Sequence, residues 1–229
     1  MQNTTALFDS IFLNPKHYTE ARLDINGVSY YEDTLKGITT YQSVFSGNGP
    51  IIGSCVSSEI DVQMLIPDAD IPRMAKLRPY VRITDGTRYS EWLPKGVYYI
   101  DTRSKNADTI TLHGYDAMLK GEQEYFGANL SWPNIDINVV NDIASIIGVD
   151  LDERTTYAMT RGYTVELPAG YTCRETLGFI AAMYCGCFVI SDSGELRLIR
   201  LNEMPEDTGY LVDRNGNPFT FGGDHIIVG

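Results

Sequence analysis

Residues 18–31 read YTEARLDINGVSYY. Ala21, Leu23 and Ile25 alternate with Arg22, Asp24 and Asn26, the period of a strand with one inward face. Asn26-Gly27 follows, a pair that accepts positive φ at both positions of a tight hairpin turn, so Val28–Tyr31 reads as the return strand. The period of two continues outward from this hairpin. Gly37–Phe45 (GITTYQSVF) is a further β run, and Ser46–Pro50 a loop. Residues 51–66 (IIGSCVSSEIDVQMLI) predict one long strand, with Ile60, Val62 and Met64 set against Glu59, Asp61 and Gln63 and a bulge near Ser57-Ser58. Ile71–Leu77 predicts a short helical crossover. Pro79–Thr84 and Arg88–Trp92 flank Asp85-Gly86 as a hairpin, and Lys95–Arg103 pairs with Asp108–Tyr115. Asp116–Gln123 predicts a short helix. Strands at this spacing predict a small, closed or nearly closed antiparallel barrel over 18–125. Residues 1–17 form an arm whose Leu7, Phe8, Ile11, Phe12 and Leu13 pack on the barrel or on a neighbouring subunit.

Beyond residue 130 the period becomes 3.6. Val139, Val140, Ile143, Ile146 and Ile147 share a helix face, with Asn138 as N-cap and Gly148 as the stop. Thr172-x-x-Glu175 is a capping box that opens a second helix with Leu177, Ile180, Ala181 and Tyr184 inward. Phe188–Ser191 and Glu195–Leu201 flank Asp192-Ser-Gly194 as a hairpin, and Val165 and Leu167 add a short strand. These elements predict a compact α+β domain over 130–204. The chain as a whole is therefore expected to be mainly β with an α+β part. Residues 205–229 start another β domain, with a turn at Asn215-Gly216 and a final apolar run, DHIIVG, that stops without a partner. That ending predicts a cut inside a third unit.

The net charge is −12: 16 acids and 12 bases over residues 1–125, then 14 acids and 6 bases over 126–229. So acidic a surface repels phosphate and argues against sequence-specific nucleic-acid binding; it suits solubility, or a wall that DNA passes without sticking. The four cysteines, Cys55, Cys173, Cys185 and Cys187, are too few and too irregularly spaced for a disulfide scaffold or a zinc knuckle and read as buried thiols. No stretch is long and apolar enough to span a membrane, and the N-terminus lacks signal-peptide character.

The sequence offers little focused chemistry. His17, His113 and His225 stand apart, and no nucleophile elbow, zinc helix or phosphate loop occurs. Asp213-Arg-Asn215-Gly-Asn217 resembles a calcium loop but carries Pro218 where a sharp turn needs Gly, so an Asn-Gly hairpin turn is the better reading. Asp68-Ala-Asp70 reads as a solvated turn. Tyr98-Tyr99 and Trp92 have the spacing of barrel packing rather than a sugar platform. No catalytic residue, metal or cofactor is expected.

Several segments, in order, resemble the barrel of phage and prophage tail hub proteins: Gly53–Pro67, Ile71–Arg82, Glu91–Asp101 and Ile110–Lys120. Gly170–Tyr184 followed by Asp192–Leu198 resembles the α+β insertion of the same hubs. The likeness extends over roughly 28–225. It implies a trimeric ring at the distal end of a tail tube, each subunit supplying two tube-like barrels, with the hub joining tube to spike or fibre. The implied partners are the chain itself as a homotrimer in the full-length protein, the tail tube or distal tail protein, the spike or fibre and the tape measure protein. Its implied place is the virion tail, assembled in the bacterial cytoplasm. This chain resembles the first barrel, the insertion and the opening of the second barrel, so half the ring-forming surface is expected to lie elsewhere. Glu59, Asp61 and Gln63, on one face of the long strand, are the candidate lumen or inter-subunit residues. The alternatives are a tail-associated peptidase or glycosidase, marked by converging acids or a Cys–His pair, and a receptor- or carbohydrate-binding module, marked by an exposed ring at Trp92 or Trp132.

Overall fold

A computed structural model describes residues 4–44, 51–67 and 70–201, with the backbone of 209–210, 220–221, 224–225 and 227–228. The chain divides into two units, Met1–Ile199 and Arg200–Gly229. The first opens with helix α1 (Ala6–Phe12), then β1 (Tyr18–Ile25), β2 (Val28–Tyr30), β3 (Leu35–Tyr41), β4 (Glu59–Leu65), β5 (Lys76–Thr84), β6 (Leu93–Pro94), β7 (Tyr98–Asn106) and β8 (Thr109–Asp116). These strands make one antiparallel sheet in the order β2-β1-β5-β7-β8-β4-β3, with β6 on β5. The hairpin at Asn26-Gly27 forms as expected, Leu23 opposite Tyr30 and Ile25 opposite Val28, with φ of 48° and 89° at the turn.

The first and last strands of this sheet, β2 and β3, are consecutive in sequence and joined by a hydrogen-bonded turn in which Thr34 and Leu35 N–H groups donate to the Tyr31 carbonyl. The sheet therefore curls. Leu23 and Ile25 from one end share a core with Leu35, Ile60, Val62 and Met64 from the other, and Leu77, Tyr98, Ile100, Ile110 and Leu112 fill the middle. Each such side chain, taken fully out of water, contributes roughly 1.5–3 kcal/mol. Among the described residues no ladder joins β2 to β3.

A 3₁₀ turn (Ala117–Glu122) leaves the sheet for β9 (Asn134–Ile135), α2 (Asp136–Ile147), α3 (Glu153–Ala158), β10 (Thr164–Val165), α4 (Cys173–Met183), β11 (Gly186–Ile190) and β12 (Leu196–Arg200). Val140, Ile143 and Ile147 of α2, Leu177, Ile180 and Ala181 of α4, and Phe188, Leu196 and Leu198 make a second core. The capping box at Thr172 and Glu175 is present, and Gly148 ends α2 at φ 76°.

Four expectations need correction. The strand proposed over 51–66 is confined to Glu59–Leu65. Residues 53–55 instead cross to β11: Gly53 N–H donates to the Gly186 carbonyl, Phe188 N–H to that of Ser54, and Cys55 joins the second core. Of this stretch only Cys55 enters that core, whereas Ile51 and Ile52 are about half exposed, and the bulges fall at Leu35/Gly37 and Ile100/Thr102 rather than Ser57-Ser58. Ile71–Leu77 is not helical. Met74 has φ 57° and Pro72 lacks an N–H, so the i, i+4 spacing of buried Ile71 and Ala75 arises in a turn that runs into β5. Helix α2 begins at Asp136, not after Asn138. Asp136 is buried and accepts from Ile137 N–H, Tyr163 N–H and the Tyr184 hydroxyl. Lastly, DHIIVG has backbone partners: β15 (Asp224–His225) pairs with β14 (Thr220–Phe221), and β16 (Ile227–Val228) with β13 (Gly209–Tyr210). The turns at Ser46–Pro50, Asp68-Ala69 and Asn215-Gly216 lie outside the described residues.

Candidate subunit interface on the sheet

Alternation along β4 puts Ile60, Val62 and Met64 in the core and turns Glu59, Asp61 and Gln63 outward, on one face. Register then sets their neighbours. Tyr41, Thr39 and Gly37 of β3 lie beside Glu59, Asp61 and Gln63, and Tyr115, His113 and Thr111 of β8 lie on the other side. His113 Nδ1 is 2.8 Å from Asp61 Oδ1, and its ring meets that of Tyr115 edge-on at 4.9 Å. This half of the outer face carries two carboxylates and a histidine among hydroxyl and amide groups, with no Lys or Arg on these positions.

The β1–β5 half is the opposite in character. Tyr18, Glu20, Arg22 and Asp24 face Thr84, Arg82, Tyr80 and Arg78 across the ladder. Arg22 lies over Tyr80 (4.2 Å) and Trp92 (5.0 Å), and Arg82 lies over Trp92 (4.4 Å) and Tyr89 (4.3 Å). The result is a continuous stack, Tyr80–Arg22–Trp92–Arg82–Tyr89, extended by Tyr31 at 6.4 Å from Trp92. Glu20 holds Arg82 at 2.7 Å, and Asp24 holds Arg22 at 3.2 Å. Nothing in the spacing of Trp92, more than sixty positions from Arg22, signalled this stack; the long β1–β5 register brings them together.

The arm is fastened here too. Thr5 donates its N–H and hydroxyl to the Glu91 carboxylate (2.8 and 2.7 Å), and Ile11 is buried, while Phe12 and Leu13 of the α1 end remain exposed. Trp132, the other ring to inspect, packs edge-on against Tyr125 and donates to the Gly127 carbonyl. Tyr98 is buried in the first core, and Tyr99 faces outward between Lys120 (3.8 Å) and Lys76 (6.0 Å). A cleft of about 420 Å³ adjoins it, lined among others by Arg78, Asp150 and Glu195.

Cys55, Cys173 and Cys187 are buried, and burial raises the Cys55 thiol to about 12 and that of Cys173 to about 11, which leaves both protonated at neutral pH. Cys185 is exposed. Among the described residues no three His, Cys, Asp or Glu side chains converge as metal ligands, and no helix is long and apolar enough to cross a membrane. The calcium-like series at 213–224 falls largely outside the described residues.

No family model and no curated protein matches the chain. Solved structures do. The 43 kDa tail protein of prophage MuSo2 from Shewanella oneidensis superposes with a TM-score of 0.53 and 13% identity, over 84% of this chain and 59% of that one. A tail protein from Neisseria meningitidis MC58 aligns with a TM-score of 0.49 and 12% identity, over 87% of this chain and 52% of that one. The chain thus spans little more than half the length of these tail proteins, and at this identity the likeness to the first is one of fold.

Proposed function

We propose that the chain is a structural subunit of a phage or phage-like tail, part of the hub ring that joins the tail tube to the distal spike or fibre and lets DNA or cargo pass. The observation that carries this reading is the curled antiparallel sheet with an attached α+β region, a fold shared with a solved prophage tail protein over 84% of the chain. In this reading the sheet behaves as a tube-like barrel whose remaining edges are covered by neighbouring subunits, which is how a ring avoids open-ended strand pairing. Copies gather about the tail axis as a homotrimer of the full-length protein, beside the tail tube or distal tail protein, the spike or fibre and the tape measure protein. Glu59, Asp61 and Gln63 belong to the lumen or to the joint between subunits. The net charge of −12 favours passage of DNA without adhesion.

The role is read as structural rather than catalytic. A sugar platform would need an open indole face, whereas two guanidiniums stack on Trp92. The test is gold labelling of the chain, by a specific antibody, on tail particles from the strain that encodes it. Label at the distal end of the tail is expected; label along the whole tube, or on no particle, would overturn the proposal.

A further inference from the structure

We infer that the Trp92 stack is a contact surface for a second copy of this chain, which docks on it through its own Glu59–Asp61 face. The inference rests on the reading that copies lie side by side in a ring, and adds which residues meet.

Four observations support it. The stack has the composition that dominates protein–protein hot spots, Trp, Tyr and Arg. Its rim is open: Tyr18 is 66%, Tyr89 48% and Tyr31 47% exposed. Its two guanidiniums are already ordered between rings and held by Glu20 and Asp24, so little side-chain freedom remains to be lost on contact. The charges are complementary. In a chain of net charge −12, the outer positions of β1 and β5 set Arg22, Lys76, Arg78 and Arg82 against Glu20 and Asp24, while strands β3, β4 and β8 set Glu59 and Asp61 against Lys36 alone, exposed at the β3 bulge. Strand β7 separates the two faces in the sheet order, so one copy can offer its stack to one neighbour and its acidic face to another, a heterologous contact of the kind that closes rings. A single such joint gives reversible, concentration-dependent association.

Sedimentation of the full chain from about 1 µM to 1 mM tests this. Glu59→Lys/Asp61→Lys and Arg22→Glu/Arg82→Glu should each weaken self-association at least tenfold. An equimolar mixture of the two should associate more tightly than either variant alone, because each altered face then meets its complement. Tyr89→Ala, a change at a half-exposed ring, should weaken association with only a small shift in melting temperature and keeps the test valid if a charge-reversed variant fails to fold. A wild type that stays monomeric, variants that associate as the wild type does, or a mixture that fails to recover would each overturn the inference. Unaltered association in every variant leaves the ring reading intact with a different joint; gold label away from the distal tail end removes the ring reading itself.

Discussion

Asp116 shows how one buried charge organises the joint between sheet and helices. Its carboxylate accepts from Ser58 N–H at 2.8 Å and Met118 N–H at 2.9 Å, which fixes the chain entering β4 and opens the 3₁₀ turn. Burial raises its pKa to about 6, and the two N–H groups oppose that rise. An unfolded Asp titrates near 3.9, so between about pH 4 and 6 the folded chain keeps a proton that the unfolded chain releases, and stability falls as pH rises through that window. The fall should be roughly 2–3 kcal/mol, and flat above it. Urea unfolding of the wild type and Asp116→Asn at several pH values should show this slope only in the wild type. At the stack, Trp92→Ala should cost about 1–2 kcal/mol and Trp92→Phe less, since Phe keeps a ring for both guanidiniums. Thermal unfolding would show that order. Local sequence reading placed Glu59, Asp61 and Gln63 on one face of a strand because strand parity is written in neighbouring residues. It could not reach the Trp92 stack, because that pairing depends on which distant strands become neighbours.

The elements that sequence reading recovered share a local cause. Asn26-Gly27, the Thr172–Glu175 box and Gly148 each satisfy a backbone need within a few residues. The elements it misplaced depend on partners far away. Residues 53–55 leave the sheet because β11 receives their backbone and the second core receives Cys55. Helix α3 is an exception: its cap is local, the Asp152 carboxylate accepting from Arg154 N–H, but six residues are too few to carry a readable period. The contact of residues 53–55 with α4 has a sharp steric consequence. A Cβ at Gly178 would stand 2.7 Å from the Gly53 carbonyl oxygen. Gly178→Ala would gain about 1 kcal/mol of helix propensity in isolation. In this protein it should instead destabilise by about 1–3 kcal/mol, because backbone must move. Thr172→Ala should cost about 1 kcal/mol through loss of the cap. Chemical denaturation of both variants would check these values, and a stabilised Gly178→Ala would show that the close approach is not maintained.

For the whole molecule, the mainly β character and the α+β region follow from the two hydrophobic periods, 2.0 before residue 120 and 3.6 after 135. The curl of the sheet does not, because it is set by the short β2–β3 turn and by a core drawn from both ends of the sheet. In the proposed ring, the acidic half of one curled sheet meets the aromatic-cationic half of the next. Salt should therefore weaken self-association of the wild type, as a joint built on opposite charges requires. A single-particle reconstruction of the intact tail tip tests the ring most directly. The expected map places the curled sheets of several copies side by side around an open axial channel at the distal end of the tube; copies standing singly off the axis, or spread along the fibres, would contradict it.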